Sequence, residues 1–412
     1  MSIKPQLRRS VSTGMLTLYG VGNIVGAGVY VLVGKIAEPA GYLAVFAFAL
    51  AALVAFCAAL SYAELAARFP VSAGISVYLH EAFKAKHVST VIGVLLVFAG
   101  TISTATLLKG FSGYFTHFLP VDPLIVIATV TLLLLLIMLR GIKESVGMAA
   151  VLTIIEVCGL LFLMAAILIT EPNTLATFSG NFLHAARAID GTALTGILAG
   201  ALIAFYAFVG FEDMVNIAEE VQKPQHAYPR AILAAMISVT VLYIAVTVVT
   251  LGVLSPQILS ASSAPLADAY AVATGQSPAL IIGVSLVATL NGVIVNVVMG
   301  SRFLYGLSRR GWIPEWFGRV SGRHVPARGL VLVSACAALC AFLLPIERLA
   351  QATSLLLLIV FAAVNISLII IRKRHTVYSQ EIRISPGFVP WVGAITSILL
   401  LVGQVILFLV GR

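Results

Sequence analysis

The chain has 412 residues, of which 60% are apolar and 10% are charged, and its mean hydropathy is +1.08. Soluble domains are roughly 45–50% apolar and about 25% charged, so this composition excludes a soluble globular protein. The formal net charge of +9 is spread over short polar segments. No domain-sized soluble region is left to hold a duplex, which excludes a nucleic-acid-binding protein.

Apolar runs long enough to cross a membrane recur along the whole chain. A run of about 20 residues covers a hydrocarbon core of roughly 30 Å. No small-residue cleavage site follows the basic opening MSIKPQLRRS, so the first run is expected to remain as a span. We predict an all-α polytopic membrane protein in contact with the lipid bilayer, with a single transmembrane domain over residues 1–412. The predicted spans number about eleven: 11–33, 41–68, 88–114, 121–140, 145–170, 192–218, 230–254, 278–307, 328–346, 348–371 and 387–410.

The basic residues define the expected orientation in the membrane. With the N-terminus in the cytoplasm, all but five of the 25 Lys and Arg residues lie on the cytoplasmic side, in agreement with the positive-inside rule. Shifting the count by one span breaks this asymmetry. The sequence therefore predicts a multi-pass protein of the cell (inner) membrane with a cytoplasmic N-terminus. The five exceptions are Lys35, Lys109, Arg187, Arg348 and Arg412.

Glycines interrupt two of the predicted spans, the first and the sixth, where an ordinary membrane helix has unbroken Leu and Val. The first contains Gly20, Gly22, Gly26 and Gly28, and the sixth contains Gly210. Glycine-interrupted spans at corresponding positions of two halves are typical of inverted-repeat transporters with a binding site near the midplane. We expect a five-plus-five inverted repeat, with a first repeat over about 11–170, a second over about 192–371 and an extra span at about 387–410.

The first break is expected to bind an anion. Backbone N–H groups at the start of the outer half-helix lack partners there, and the helix dipole favours negative charge. A substrate carboxylate fits this chemistry. The alternative is a glycine face that only packs closely against a neighbouring helix. The residues concerned are Ile24, Val25, Gly26, Ala27 and Gly28.

The second break is expected to bind a cation. Carbonyls freed at the end of a half-helix suit the ammonium group of the same amino acid. One zwitterion then satisfies both breaks. The carbonyls in question belong to Tyr206, Ala207 and Val209.

Further stretches carry a resemblance to a known family. Span six continues into Ala218–Gln225 and Pro229–Ile232, which read AEEVQKPQ and PRAI, and Pro70, Ala73, Gly74 and Tyr78 follow span two. With the two glycine-interrupted spans, these segments resemble the amino acid–polyamine–organocation (APC) transporters over nearly the full length.

This resemblance implies a fold and a set of site residues. The implied fold is that of the sodium-coupled leucine transporter, with carboxylate binding at Gly26 to Gly28 and amine binding at the span-six carbonyls. An aromatic gate in span six is also implied. By position its counterpart is Tyr206, with Phe205 and Phe208 as alternatives to it and ordinary aromatic packing as the other interpretation of all three.

Glu156 lies near the middle of predicted span five, where a charged side chain is costly and is a functional hypothesis by default. Many proton-coupled or sodium-independent members of the resembled family have a lysine at this position, so this chain reverses the charge. A carboxyl without a cation nearby is a candidate proton carrier. The alternatives are a permanently neutral carboxyl that hydrogen-bonds span one, and an ion-binding carboxylate.

Three further acidic residues are candidates in predicted spans. Glu212 and Asp213 follow the second break, and only one of two adjacent helical residues can easily face the cavity. Glu212 resembles the acidic position that the APC family has after the glycine, and it is expected to hold a cationic side chain, to titrate during transport or to hydrogen-bond the broken backbone. Glu64 lies near the cytoplasmic end of span two, and its expected partners are basic residues of the inner loops.

Together these features predict a secondary transporter that moves amino acids by alternating access, with proton-coupled uptake as the first hypothesis. An amino acid/amine exchanger and a polyamine transporter are the alternatives, and facilitated diffusion is left open. No enzymatic motif is found in the spans, and no cofactor or metal is expected, because the four cysteines lie in apolar runs without a ligand pattern. Monomer and homodimer are both left open.

Overall fold

The computed structural model describes residues 11–26, 28–70, 74–140, 146–320, 325–374 and 384–409. This part of the chain forms sixteen α-helices, whose bounds in chain order are α1 (Thr13–Val25), α2 (Gly28–Ala40), α3 (Ala44–Arg68), α4 (Gly74–Phe83), α5 (Lys86–Phe118), α6 (Pro123–Leu139), α7 (Val146–Thr170), α8 (Thr174–Arg187), α9 (Gly191–Ala207), α10 (Pro224–Val253), α11 (Pro256–Ala261), α12 (Pro265–Thr274), α13 (Ala279–Arg309), α14 (Ala327–Leu343), α15 (Ile346–Arg374) and α16 (Val389–Leu409).

These helices build the eleven predicted spans. Eight stretches of the described residues are long and apolar enough to cross a membrane, and α6 and α14 are shorter apolar helices. One stretch, Gly28–Arg68, holds the end of one span and the whole of the next, because the chain turns at Gly41 (φ +57°). The structure confirms the all-α polytopic class. Within the described ranges the β structure is an isolated bridge between Val11 and Val221.

The predicted span boundaries differ most from the structure at the first and seventh spans. The first was predicted to end at residue 33, but α2 continues to Ala40. Lys35 in this extension pairs with Glu347 at 2.8 Å, so a charge is accommodated inside the helix. The seventh was predicted to begin at residue 230, whereas α10 begins at Pro224. Proline suits a first helical position because the N–H it lacks has no intrahelical partner there.

The spans alternate in direction, which gives the bundle two faces. The inner face carries the start of α1 and the ends of α3 and α15, and the outer face carries the ends of α2 and α5. Four helices outside the spans were not predicted: α4 on the inner face, and α8, α11 and α12 on the outer face. They have 6 to 14 residues, and the length criterion for a membrane span does not detect them.

The interrupted spans occupy the centre of the bundle, as predicted. The first span stops at Val25 and resumes at Gly28, and the sixth stops at Ala207 and continues as the 3₁₀ segment Phe211–Glu220. Gly210 between them has φ +127°, a backbone angle that side-chain-bearing residues rarely adopt. Around these breaks, α2 packs on α9, α1 packs on α7 and α10, and α5 packs on α13. A cavity beside the breaks is lined by residues of α1, α2, α5, α9 and α13.

Candidate functional site

The first break combines a glycine kink with the start of a new helix. Gly26 caps α1, donating its N–H to the carbonyl of Gly22 at 3.1 Å, and its backbone angles are outside the helical region (φ 13°, ψ −114°). The first-turn N–H groups of α2 begin at Gly28, and carboxylate binding there stays a prediction. Ile24 and Val25 are buried in the wall of the break. Ala27 lies outside the described residues.

Asn23 adds a side-chain donor at this break. It lines the cavity beside the breaks together with Ile24 and Gly26. Its Nδ2 is buried and has no hydrogen-bond partner among the described residues. An amide N–H without a partner favours an anionic or carbonyl oxygen. The sequence analysis did not single out Asn23, because one asparagine among glycines carries no pattern.

The two breaks touch each other directly. A Cβ added at Gly28 would lie 2.7 Å from the Cα of Ala207, and one added at Gly210 would lie 2.7 Å from the carbonyl carbon of Asn23. Real Cβ atoms do not approach backbone this closely, so a side chain at either glycine forces the breaks apart. The glycines of both spans therefore allow the close contact between the breaks, which is the role that small residues have in packed membrane helices.

Tyr243 of α10 joins the breaks through a single hydroxyl group. Its oxygen lies 2.7 Å from the carbonyl oxygen of Ile24 and 2.9 Å from that of Ala207. The side chain is fully buried. Sequence reasoning missed this residue, because a tyrosine in an apolar span gives no signal of its partners. The hydroxyl holds the end of each half-helix at a fixed separation.

The second break has fewer free carbonyls than the sequence analysis predicted. The carbonyl of Tyr206 accepts the N–H of Val209 at 3.1 Å, and that of Ala207 accepts the hydroxyl of Tyr243. Each oxygen keeps a second lone pair for a ligand. Both carbonyls are therefore already engaged by groups of the protein.

Two adjoining cavities lie beside the breaks. The first has a volume of about 40 Å³ and is bounded by both breaks, α5 and α13. The second has a volume of about 50 Å³ and continues from the first toward the inner face, along later residues of α13 and earlier residues of α5. Each cavity has room for a few water molecules, so a larger ligand requires the surrounding helices to move apart. Four residues line both cavities: Ser103, Val209, Asp213 and Asn296.

A polar chain crosses the wall of the first cavity. The hydroxyls of Ser103 and Tyr206 lie 3.0 Å apart, and the hydroxyl of Tyr206 also donates to the backbone carbonyl of Ser103 at 3.2 Å. Nδ2 of Asn296 donates to the Ser103 hydroxyl at 3.0 Å. The chain links α9, α5 and α13. Ser103 and Asn296 were not predicted, since each is one polar residue in a long apolar span.

The three aromatic residues proposed for the gate have different surroundings. Tyr206 lines the first cavity. Phe205 packs on Phe361 with ring centroids 5.6 Å apart, and Phe208 packs on Tyr243 at 5.4 Å. Neither phenylalanine is among the residues that line the two cavities. Of the three, Tyr206 therefore lies at the cavity, and the two phenylalanines pack against other aromatic rings.

Glu156 on α7 is fully buried one side chain away from the first cavity. Its Oε1 lies 3.5 Å from Nδ2 of Asn291, which lines that cavity, and its Oε2 has no hydrogen-bond partner among the described residues. Its backbone carbonyl accepts the hydroxyl of Tyr30 at 2.7 Å. No Lys, Arg or His of the described ranges lies within 4.0 Å of the carboxyl. Glu156 is thus a buried acid without a counter-charge.

Glu212 and Asp213 are adjacent but differ in surroundings. Oε2 of Glu212 accepts the N–H of Gly210 at 2.9 Å, and the side chain is 4% exposed. Of the roles expected for Glu212, this bond corresponds to hydrogen bonding of the broken backbone. Asp213 is less buried and lines both cavities. The sequence analysis had favoured Glu212 as the acid that faces the site.

Glu64 on α3 has the basic partners that the sequence predicts. Its carboxylate forms ion pairs with Arg68, at 2.8 Å, and with Arg372 of α15. The backbone N–H groups of Ile384 and Ser385 also donate to Oε2, at 3.1 and 3.3 Å. The cluster ties α3, α15 and the segment before α16 together at the inner face.

The arrangement defines a class of protein. A polytopic helical bundle in which two interrupted spans meet at a polar cavity, with irregular backbone lining that cavity, is the architecture of secondary transporters. The chain belongs to the amino acid permease family, whose sequence model matches residues 11–412. Family membership confirms the resemblance found in the sequence.

Several relatives are similar over most of the chain. Cationic amino acid transporter 2, vacuolar, of Arabidopsis thaliana is 30% identical over 89% of this chain, and branched-chain amino acid permease BcaP of Bacillus subtilis (strain 168) is 26% identical over 98% of it and 94% of the relative. The methylthioribose transporter of the same bacterium is 28% identical over 95% of this chain and 87% of the relative. The chain spans only 60% and 64% of two Arabidopsis transporters. The named relatives are transporters rather than enzymes.

Proposed function

We propose that this chain carries amino acids across the membrane by alternating access, with the substrate held between the two breaks. The observation that carries the proposal is the direct contact of two interrupted spans at a cavity that presents opposite polarity on its two sides. The start of α2 and the amide of Asn23 supply N–H donors, and the end of α9 supplies carbonyls. An α-amino acid has the matching pair of charges.

The two halves of the chain are proposed to form an inverted repeat, with a first repeat over about 11–170, a second over about 192–371 and an extra span at about 387–410. Spans one and six are the first of each half, and both are interrupted. Such repeats move as bodies around a fixed site. The relatives named for amino acids support amino acid transport, and a relative named for methylthioribose is similar over 95% of this chain.

The structure has the features of a state that is closed toward the outer face. Gly34 of α2 packs against the backbone of Leu259 in α11, and Lys35 of α2 pairs with Glu347 at 2.8 Å. The hydroxyl of Tyr114 donates to the carbonyl of Tyr30 at 2.5 Å. The second cavity extends the site in the opposite direction, toward the inner face. Opening to the outer face then requires α2 to part from these partners.

Glu156 is proposed to carry a proton that moves with the amino acid. An unpaired carboxylate inside the bilayer is costly, so the side chain is expected to bind a proton when no cation is near. The side-chain amide of Asn291, which lines the first cavity, lies between that cavity and Glu156. Glu212 is a second titratable acid near the break, and its bond to Gly210 favours a structural role.

The membrane orientation is proposed from the charged residues of the two faces. Basic side chains at the inner face include Arg68, Lys86 and Arg372, each with a partner there. This excess corresponds to the cytoplasmic side under the positive-inside rule. We place the protein in the cytoplasmic membrane with its N-terminus inside the cell.

Ligand binding and uptake test the proposed function. The thermal stability of the purified protein in detergent would be measured with each common amino acid and several polyamines, because a ligand of the folded state raises stability with its concentration. Saturable uptake of the stabilising compounds into liposomes would follow. Stabilisation by one amino acid class with saturable uptake supports the proposal. No stabilisation by any amino acid, or stabilisation by polyamines alone, contradicts it.

Two alanine variants locate the site. Gly28→Ala adds a methyl group between the breaks and is expected to abolish both stabilisation and uptake. Gly180→Ala on α8 is the matched control, since a Cβ there meets nothing within 4 Å. Equal uptake by the two variants would place the substrate elsewhere.

A further inference from the structure

A larger cavity lies at the outer face, away from the two breaks. It has a volume of about 330 Å³ and is bounded by four helices: the end of α2, the middle of α9, the start of α15 and the end of α16. A volume of this order is typical of small-molecule sites. We call this cavity the outer pocket. Its polar lining residues are Lys35, Glu38, Glu347, Arg348, Gln351 and Gln404.

The charges of the outer pocket sum to zero, but they are unevenly paired. Nζ of Lys35 lies 2.8 Å from Glu347 and 3.9 Å from Glu38, so one cation serves two carboxylates. Arg348 is exposed and has no ion pair within 4.0 Å among the residues that the structure describes. The pocket therefore has an excess of negative charge beside Lys35 and a positive charge at Arg348. A ligand with one cationic and one anionic group is complementary to this pattern.

Gln404 on α16 adds a buried amide to the lining. The residue is 8% exposed, and its Oε1 is buried without a hydrogen-bond partner in the described part of the chain. A buried amide oxygen without a donor is costly, so a donor from a ligand is favoured there. A primary ammonium has three hydrogens to donate, to this oxygen and to a carboxylate together. A quaternary ammonium has none.

The outer pocket borders the surface of the bundle that faces lipid. Leu198 precedes the lining residue Ala199 on α9, and Val402 and Val405 flank Gln404 on α16. These three apolar side chains are 41% to 47% exposed. In a membrane span such side chains contact acyl chains, which are as apolar as leucine. A molecule that reaches the pocket from this side combines acyl chains with a polar headgroup.

We infer that the outer pocket binds the headgroup of a zwitterionic phospholipid that ends in a primary ammonium. The phosphate pairs with Arg348, and the ammonium donates to the amide oxygen of Gln404 and to the carboxylate of Glu38. An anionic phospholipid satisfies Arg348 alone. The bound headgroup contacts helices on both sides of the Lys35–Glu347 pair, so it stabilises the contact of α2 with α15. The inference holds whichever solute the protein carries.

Lipids that differ in the headgroup alone separate these chemistries. The thermal stability of the purified full chain in detergent would be titrated with dioleoyl phosphatidylethanolamine, phosphatidylcholine and phosphatidylglycerol. Glycerophosphoethanolamine, the same headgroup without acyl chains, is the fourth ligand. Because a ligand of the folded state raises stability with its concentration, each titration gives an apparent Kd. The Kd of phosphatidylethanolamine is expected to be at least about tenfold lower than the others, as one hydrogen bond to a charged group provides.

Substitutions locate the headgroup in the outer pocket. Arg348→Gln and Glu38→Gln are each expected to raise the Kd of phosphatidylethanolamine at least about fivefold, and Arg348→Lys to recover most of the affinity. Gln404→Leu is expected to reduce the preference over phosphatidylcholine to less than about threefold. Arg187→Gln is the control, since Arg187 ends α8 at the outer face and is outside the pocket. Stability without added lipid is recorded for each variant, so that misfolding is separated from lost binding.

The outcomes are distinct. A preference for phosphatidylethanolamine that the pocket variants lose and Arg187→Gln keeps supports the inference. Equal stabilisation by the three phospholipids overturns it, because any lipid then serves as solvent for the bundle. Equal stabilisation by glycerophosphoethanolamine also overturns it, since the site then takes a soluble zwitterion. A preference that survives in every pocket variant places the headgroup elsewhere and overturns it as well. None of these outcomes bears on the proposed amino acid transport, which the uptake measurements test separately.

Discussion

Glu64 and Glu156 are two fully buried carboxyls in membrane spans, and their surroundings differ completely. Glu64 receives ion pairs from Arg68 and Arg372 and backbone N–H bonds from the segment before α16. Glu156 has a side-chain contact at 3.5 Å with Asn291, and one of its oxygens has no partner among the described residues. The two carboxyls are thus equally buried, but only Glu64 has basic residues beside it among the described residues.

The difference separates a structural acid from a functional one. A buried carboxylate that is held by cations and N–H groups is stable as an anion, and removing it leaves the cations unpaired. A buried carboxyl without cations is costly as an anion and gains by binding a proton. Position agrees with this division, because Glu64 lies at the inner face and Glu156 lies beside the cavity. Glu64 is thus expected to contribute to stability, and Glu156 is the proton carrier that we propose.

Glu64→Gln is expected to have the largest effect, and the effect is on stability. It leaves Arg372 and Arg68 without their counter-charge in a buried cluster, which corresponds to a loss of about 3–5 kcal/mol in the free energy of unfolding. Thermal or denaturant unfolding in detergent measures this loss. Glu81→Gln on α4 is the control, because the pair of Glu81 with Lys84 is partly exposed and is expected to contribute less than about 1 kcal/mol. Equal stability of the two variants would contradict a structural role for Glu64.

Glu156→Gln is expected to change transport with little effect on stability. The amide has the same shape, stays neutral and can still contact Asn291, so the free energy of unfolding should change by less than about 1 kcal/mol. Wild-type uptake is expected to increase as the external pH falls from 7.5 to 5.5, and this dependence should disappear in the variant. A variant with the wild-type pH profile would mean that another group carries the proton.

Tyr243→Phe tests the contact between the breaks and is expected to have an intermediate effect. It removes the hydroxyl shared by the carbonyls of Ile24 and Ala207 and leaves both buried, at a cost of about 1–3 kcal/mol. Uptake should fall because the two half-helices are no longer held together. Tyr270→Phe on α12 is the control, since its hydroxyl bonds Gln276 at 3.1 Å at the outer face. Similar uptake by the two variants would remove Tyr243 from the site.

Lys35→Met is expected to have a small effect on stability. The pair of Lys35 with Glu347 has side chains that are 24% and 28% exposed, and such pairs contribute about 0–1 kcal/mol. A double-mutant cycle with Glu347→Gln isolates the pair. The pair closes α2 against α15, so the variant should make the cavity more accessible from the outer face. Labelling of cysteines introduced at the cavity measures this accessibility. A coupling energy near that of the Glu64 cluster would show that exposure does not govern these ion pairs.

Much of the fold could be predicted because membrane spans have a strong signal. Runs of Leu, Val and Ala mark the spans, and Gly26, Gly28 and Gly210 mark the two breaks, because lipid does not tolerate irregular backbone without a cavity. The basic partners of Glu64 could be expected because a charged residue at a span end has loop charges within reach. Family membership then supports the same architecture.

The missed parts of the site share a physical cause. Tyr243, Ser103, Asn291 and Asn296 are single polar residues in long apolar helices, and their partners lie far away in the chain. Their meeting depends on helix rotation, which hydropathy does not determine. The same uncertainty left Phe205 and Phe208 as alternatives to Tyr206 and placed Asp213 behind Glu212. Once a helix is interrupted, the direction of the residues after the break no longer follows the helical period.

Proton movement during amino acid uptake tests the proposed role of Glu156 as proton carrier most directly. Liposomes loaded with a pH-sensitive dye would contain either the wild-type protein or Glu156→Gln, and the internal pH would be followed when an amino acid that stabilises the protein is added outside. We expect acidification of the wild-type liposomes in proportion to uptake, and amino acid exchange without acidification in the variant. Uptake by the wild type without any pH change, or equal acidification in both, would contradict it.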